Sequence, residues 1–278
     1  MRKIAVLNWK GGSGKSTTAL ALAVGLAQRS PKRRVLLVDN DPQANSSLIM
    51  LDGREATEPT LTDVLLEDVQ AAEAIRPTRV GGLDLLPADG RLADLTMLLA
   101  EEELGREKRL SIALSSIESR YAICVVDAPP QLSLLSVNIL QAVTEVIVPI
   151  DPGVFAIAGL GRLKETVERV RHYLQHPDLA IIGLLMTKAS KSKVVSDLFN
   201  QLKEAYGELV YKTVIPHAIS VEEAHASYQT IMEWAPQSTV AKAYGELVSE
   251  VLRHGKPERT ARERRPQSRT GRKKRRAG

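Results

Sequence analysis

Ile4-Ala-Val-Leu-Asn-Trp-Lys-Gly-Gly-Ser-Gly-Lys-Ser-Thr17 decides the fold. Its first four residues are an apolar run of the kind buried on both faces of a parallel sheet. Gly11, Gly12 and Gly14 then make a turn whose backbone N–H groups can point inward. Lys15-Ser16-Thr17 opens an Ala/Leu-rich stretch that reads as a helix to about Arg29. Strand, glycine turn and helix form the arrangement that cradles a polyphosphate, because the turn amides and the helix N-terminus both favour an anion. In that frame Gly11, Gly12, Ser13, Gly14, Lys15, Ser16 and Thr17 hold the phosphates. Lys15 reaches the terminal ones, and the Ser16 hydroxyl is a ligand for Mg²⁺.

Outward from this stretch, buried-strand runs alternate with helical segments. Arg34 to Val38 is the second strand and delivers Asp39-Asn-Asp41-Pro-Gln43 at its carboxyl end, the edge where ligands bind in an open parallel sheet. Leu83 to Leu86, Ala122 to Val126, Val146 to Ile150, Ala180 to Met186 and Val210 to Ile215 read as further strands. Helices are expected at Leu61 to Leu66, capped by Thr60 or Thr62, and over Arg91 to Ser119 with a break near Gly105. Others are expected at Ser133 to Ala142, Leu160 to Leu174, Val194 to Tyr206, Val221 to Ala226 and Ser238 to Arg253. The alternation predicts an α/β fold, a doubly wound, mostly parallel sheet with helices on both faces.

The net charge of +5 divides unevenly. Residues 256–278 hold eleven basic and two acidic side chains, a net +9, which leaves −4 on residues 1–255. That last segment has almost no large apolar residue, so a disordered basic tail is expected after a folded domain of residues 1–255. The single cysteine, Cys124, lies in an apolar run and excludes an intrachain disulfide framework. No signal peptide is expected ahead of the first strand, and no apolar run is long enough to span a membrane.

The glycine turn departs from a plain G-x-x-x-x-G-K-[ST] loop. Trp9 stands where the first glycine would be, and Lys10 precedes Gly-Gly-Ser-Gly-Lys15. With Asp39-Asn-Asp41-Pro-Gln43 and Asp127-Ala-Pro-Pro130, this pattern resembles the ParA/Soj-type partition ATPases of the MinD/ParA superfamily, the deviant Walker A P-loop ATPases. The resemblance runs over about residues 3 to 253. It implies the P-loop NTPase fold, ATP and Mg²⁺ as cofactors, and slow ATP hydrolysis. It makes Lys10 a residue that reaches the partner subunit's nucleotide in an ATP-bound homodimer. Asp41 orients the attacking water, Asp39 supports the metal's outer shell, Asp127 holds Mg²⁺ directly or through water, and Pro216 lies on the adenine side. The implied partners are nonspecific double-stranded DNA and a ParB-like centromere-binding protein that stimulates hydrolysis, with no membrane. The implied location is cytoplasmic, on the nucleoid. Where the family has Gln, Val and Thr, this chain has Trp9, Ser13 and Ser16; where it has Arg, Asn and a further Arg after Pro216, the chain has His217, Ala218 and Ser220.

For DNA contact the cationic candidates are the tail, with Arg272, Lys273, Lys274, Arg275 and Arg276, and the body cluster Lys188, Lys191 and Lys193. Arg162, Lys164, Arg169 and Arg171 form another basic stretch, and any of these faces is equally read as solvated surface. Two other functions stay open at this stage. One is a ParA-like ATPase that positions a cargo other than DNA. The other is a nucleotide-binding scaffold without significant turnover.

Overall fold

The computed structural model describes residues 1–29, 33–99, 105–153 and 156–253. The expected disordered tail, 256–278, lies outside the described residues, and with it the DNA-contact candidates Arg272, Lys273, Lys274, Arg275 and Arg276.

Eight strands form one sheet: β1 (Arg2–Val6), β2 (Val35–Asp39), β3 (Arg76–Pro77), β4 (Leu83–Leu86), β5 (Ile123–Asp127), β6 (Glu145–Ile150), β7 (Ala180–Ala189) and β8 (Val210–Pro216). Their order is β3-β4-β2-β5-β1-β6-β7-β8. Every neighbouring pair is parallel except β3 with β4, which the sequence reading missed because β3 is two residues long. The described helices are α1 (Lys15–Arg29), α2 (Asn45–Met50), α3 (Leu61–Leu65), α4 (Ala71–Ala74), α5 (Leu95–Leu98) and α6 (Arg109–Ser116). They continue as α7 (Leu134–Ala142), α8 (Ala156–Tyr173), α9 (Lys193–Tyr206), α10 (Ile219–Ala226), α11 (Ile231–Trp234) and α12 (Thr239–Arg253).

Strand alternation feeds two cores. Ile4 and Val6 of β1, with Val35 and Leu37 of β2, pack on the α1–α12 side. Ala5 of β1, with Leu36 and Val38 of β2, packs on the side of α3, α6, α7 and α8. The central strands are therefore apolar on both faces, as a sheet covered twice must be. Helices α1 and α12 pack so closely that a Cβ on Gly25 would come within 2.6 Å of Val248 Cγ2.

The expected long helix over Arg91 to Ser119 is broken further than Gly105 alone required. Its start is a 3₁₀ turn, Gly90–Ala93, and only the short α5 and α6 are α-helical among the described residues. Asp89 caps that turn by accepting from the Arg91 amide at 2.9 Å, and Arg91 Nη2 is held by Asp63 Oδ2 and Asp89 Oδ2 at 2.9 and 2.7 Å. This buried-side network fixes the chain away from helical continuation. Gly105 has φ +85, a left-handed conformation that lies outside regular helix. At α3 the cap is Thr60, in a capping box with Asp63.

The register places three functional stretches side by side. Asp39 at the end of β2 pairs with Asp127 at the end of β5, and Val6 at the end of β1 pairs with Asp127 on its other side. The glycine turn leaves β1 between β5 and β6, so Asp127 and Asp151, which follows β6, flank it.

Candidate nucleotide site

The glycine turn and the N-terminus of α1 open onto a cavity of about 480 Å³. Gly11, Gly12, Gly14, Lys15, Ser16, Thr17, Asp41 and Pro216 all line it. Gly12 and Gly14 have φ of +72 and +82, the left-handed region that lets their amides turn inward. The turn is braced from outside. Thr187 Oγ1, at the end of β7, donates to the Ser13 carbonyl at 2.9 Å, and Asn8 Nδ2 donates to the Pro149 carbonyl of β6 at 2.7 Å. Ser13 itself is fully buried and its hydroxyl has no hydrogen-bond partner among the described residues, so its side chain faces protein rather than the cavity.

The two lysines of the turn have opposite surroundings. Lys15 is 6% exposed, and burial lowers its pKa against the opposing pull of Asp127 and Asp41. Its Nζ makes one long hydrogen bond, to the Lys10 carbonyl at 3.4 Å. A desolvated ammonium with donors aimed at a glycine cradle is built for phosphate oxygens. The Lys10 side chain is 46% exposed and turns out of the cradle to Asp151, Nζ to Oδ2 at 2.5 Å. Trp9, between the two braces, is half-buried against the core on the α7–α8 side.

The three acids divide their work. Asp127 is fully buried; Ser46 Oγ donates to its Oδ2 at 2.7 Å, while Oδ1 has no hydrogen-bond partner among the described residues. Burial raises its pKa, with Asp41 adding repulsion and Ser16, Ser46 and Lys15 favouring the charge. Asp39, expected in a metal's outer shell, spends its oxygens within its own loop. Oδ2 accepts from Ser47 N and Oγ at 2.7 and 2.8 Å, and Oδ1 accepts from the Asp41 amide at 3.2 Å. It is the cap of α2, whose local N-cap residue is Ala44 in the left-handed region. Burial first and the neighbouring Asp127 second raise its pKa. Asp41 faces the cavity, 6% exposed, with Oδ1 accepting from the Gln43 amide at 3.0 Å.

A magnesium ion fits this donor set. Two adjacent buried carboxylates carry raised pKa values, one oxygen of Asp127 is unpartnered, and the Ser16 hydroxyl lies beside the phosphate cradle. The described residues contain no group of three or more His, Cys, Asp or Glu able to hold a metal alone. That suits Mg²⁺, which is bound through one or two protein oxygens together with phosphates and water. Ser16 and Asp127 are the residues that would hold it, and bound there it would neutralise phosphate charge. Because the ion competes with protons for this pair, Mg²⁺ affinity at fixed nucleotide should weaken as pH falls from 8 to 6, by up to about tenfold per unit for each proton displaced. Titration calorimetry across that range tests it. A slope unchanged in Asp127→Asn would contradict the assignment.

Several site residues escaped the sequence reading. Asn45, Thr187 and Tyr244 line the cavity, Ser46 and Ser47 hold Asp127 and Asp39, Asn8 braces the turn and Asp151 holds Lys10. Asn45-Ser46-Ser47, one residue after the Asp-x-Asp-Pro-Gln stretch, was the available signal. Lys188, grouped with DNA-contact candidates, has φ +51 and lines the nucleotide cavity. Lys191 and Lys193 are exposed at the start of α9.

The family model described as AAA domain matches residues 1–181. The sporulation initiation inhibitor protein Soj of Bacillus subtilis is 35% identical over 253 residues, covering 91% of this chain and 98% of the relative. The chromosome partitioning protein ParA of Caulobacter vibrioides is also 35% identical, over 91% of this chain and 94% of its own length. Among solved structures, a protein described as cobyrinic acid a,c-diamide synthase from Mycobacterium smegmatis, bound to ADP and magnesium, has a TM-score of 0.77 and 32% identity. It covers 91% of this chain and 95% of its own. With relatives 35% identical over nine-tenths of its length, the chain belongs to the ParA/Soj family of P-loop ATPases.

Proposed function

We propose that this ATPase is a DNA-partition switch. ATP closes two copies face to face, the dimer holds DNA without reading its sequence, and hydrolysis releases it. The observation that carries this reading is the divergence of the two lysines. Lys15 is buried in its own phosphate cradle, whereas Lys10 is exposed beside it and held by Asp151. A cation parked at the rim is placed to leave Asp151 for a partner's phosphates, where a charge supplied in trans stabilises the transferred group. The exchange makes nucleotide the adhesive of the dimer. Asp41 lines the cavity and is the group that orients water for in-line attack, a step in which positioning counts for more than covalent chemistry.

The similarity to Soj and ParA supports DNA as the cargo and a ParB-like centromere-binding protein as the partner that stimulates hydrolysis. Nucleoid association follows from the same reading. The tail adds nine net positive charges per chain, and two tails per dimer give avidity for a polyanion. Among the described residues no helix is long and apolar enough to cross a membrane.

A second reading has a specific observation behind it, the likeness to the amide-synthase structure. Release of ammonia from glutamine by a thiol is disfavoured here. Cys124, the single cysteine, is fully buried in β5, and burial pushes its thiol up to about 12.

Gel retardation of random-sequence DNA separates the possibilities, with ATP or ADP, using the full chain, a chain ending at residue 255 and Lys10→Ala. Partitioning predicts binding that needs ATP, falls steeply with salt and is lost in Lys10→Ala. Removing the tail should weaken binding at least about tenfold, given several lost phosphate contacts. Binding that ignores the nucleotide would overturn the switch.

A further inference from the structure

Beside the residues at the end of β8, the cavity wall away from the glycine turn includes two segments far apart in the chain. One is α2, through Asn45, Leu48 and Ile49. The other is α10 and the residues after it, through Val221, His225 and Tyr228. Neither segment is a strand of the sheet, so strand pairing does not fix their separation. A single guanidinium does. Arg79 lies in the turn between β3 and β4. Its Nε and Nη2 donate to Glu233 Oε1 and Oε2 at 2.8 and 3.0 Å. Its Nη1 donates to the Ile49 carbonyl at 2.8 Å and to Asp52 Oδ1 at 2.9 Å. Its Nη2 also donates to the Tyr228 carbonyl at 3.2 Å. Every N–H of the guanidinium is used, and the planar fork is what allows one side chain to grip three segments.

Two of the gripped groups, the backbones of Ile49 and Tyr228, belong to residues that line the cavity. The surroundings are built for the same closure. Glu233 is itself fixed at the start of α11, accepting from Thr230 Oγ1 at 2.7 Å and Thr230 N at 3.2 Å. Asp52 and Tyr228 have φ of +56 and +52, conformations that favour glycine and that persist where the surroundings impose them. The Tyr228 ring lies against Gly53, where a Cβ would come within 2.5 Å of it.

We propose that Arg79 is a positioning residue for the nucleoside half of the ATP site. It ties α2 to the α10–α11 segment, so that the wall facing base and ribose keeps its shape. The phosphate half is built by the glycine turn, α1 and Thr187, none of which Arg79 touches. This rests on the cavity being the nucleotide site, and the two halves separate experimentally because inorganic triphosphate uses only one of them. Arg79 also grips the helix that follows Asp41, but α2 is fixed at its other end by Asp39 and Asp127 through Ser47 and Ser46. The effect therefore falls on binding more than on turnover.

The test measures ATP and triphosphate binding with Mg²⁺, by calorimetry or by competition against a fluorescent ATP, together with steady-state hydrolysis, on the full chain. Arg79→Ala should weaken ATP and raise KM by about tenfold or more, as loss of a multiply bonded guanidinium does. Triphosphate affinity and kcat should stay within about twofold. Arg79→Lys keeps the charge but not the fork and should recover only part of the ATP affinity. Where Arg79→Ala does not fold, Glu233→Gln keeps the shape of the α11 cap, weakens the grip, and should show the same split at smaller size. Equal losses for ATP and triphosphate, or a lowered melting temperature with both affinities unchanged, would overturn the proposal. Triphosphate that fails to compete with ATP in the wild-type chain would instead overturn the phosphate cradle itself.

Discussion

Asp41→Ala stops ATP turnover while ATP still binds. The expected loss is about 10²- to 10³-fold in kcat, the range for removing a group that orients or deprotonates a nucleophile. Asp41 is suited to this because its loop holds it rather than its partners across the cavity. Its amide bonds to Asp39, its carboxylate accepts from the Gln43 amide at 3.0 Å, and it opens onto the phosphates. Truncation removes the carboxylate and its pull on the Lys15 ammonium, but breaks no hydrogen bond of Lys15 or of the glycine turn. Single-turnover phosphate release gives the rate, and co-sedimentation with DNA in ATP gives the consequence, a dimer that stays on DNA where the wild type falls off. Asp41→Asn keeps a group able to accept from Gln43, so a loss there as large as in Asp41→Ala assigns the effect to the charge. Hydrolysis by Asp41→Ala at the wild-type rate would remove the catalytic assignment.

Lys15→Ala removes nucleotide binding at its source. The ammonium is 6% exposed and lies within the influence of both Asp127 and Asp41. Without it two carboxylates face the incoming phosphates with no opposing charge. Truncating one member of a buried charge pair costs on the order of 2–5 kcal/mol, roughly thirtyfold to several thousandfold in affinity. The fold should change less than the affinity, because the lysine's own desolvation offsets its pull on the two acids. In the free protein the lysine makes one 3.4 Å hydrogen bond and carries the desolvation cost of a buried cation. Calorimetry with Mg-ATP and a thermal melt of the free variant read the two effects separately. An ATP affinity within threefold of the wild type would mean the phosphates lie elsewhere.

Much of this site was legible in residue order because its parts are local. The strand before Gly11, the glycines and the helix after Lys15 are contiguous, and each obeys its own short-range rule. The acids at the ends of β2 and β5 follow apolar runs, so their edge of the sheet was readable too. Helix α2 was not. Its N-cap residue is Ala44, which carries no capping side chain, and the carboxylate that does the capping is Asp39, upstream in β2. A cap delivered across a loop leaves no local signature. The same holds for one arm of the Arg91 network, where the partner Asp63 comes from α3, whereas Asp89 is the local cap of the turn that interrupts the expected long helix.

Sequence by itself determined the doubly wound sheet, the strand–glycine turn–helix unit and the family, since these follow from periodicity and contiguous motif. Tertiary structure decided which way each charged side chain was spent. It turned Lys10 out to Asp151, gave Asp39 to α2, moved Lys188 to the nucleotide cavity and closed the far wall with Arg79. Those outcomes depend on which segments a right-handed, twice-covered sheet brings within hydrogen-bond reach, and a buried or half-buried charge takes the partner that packing supplies.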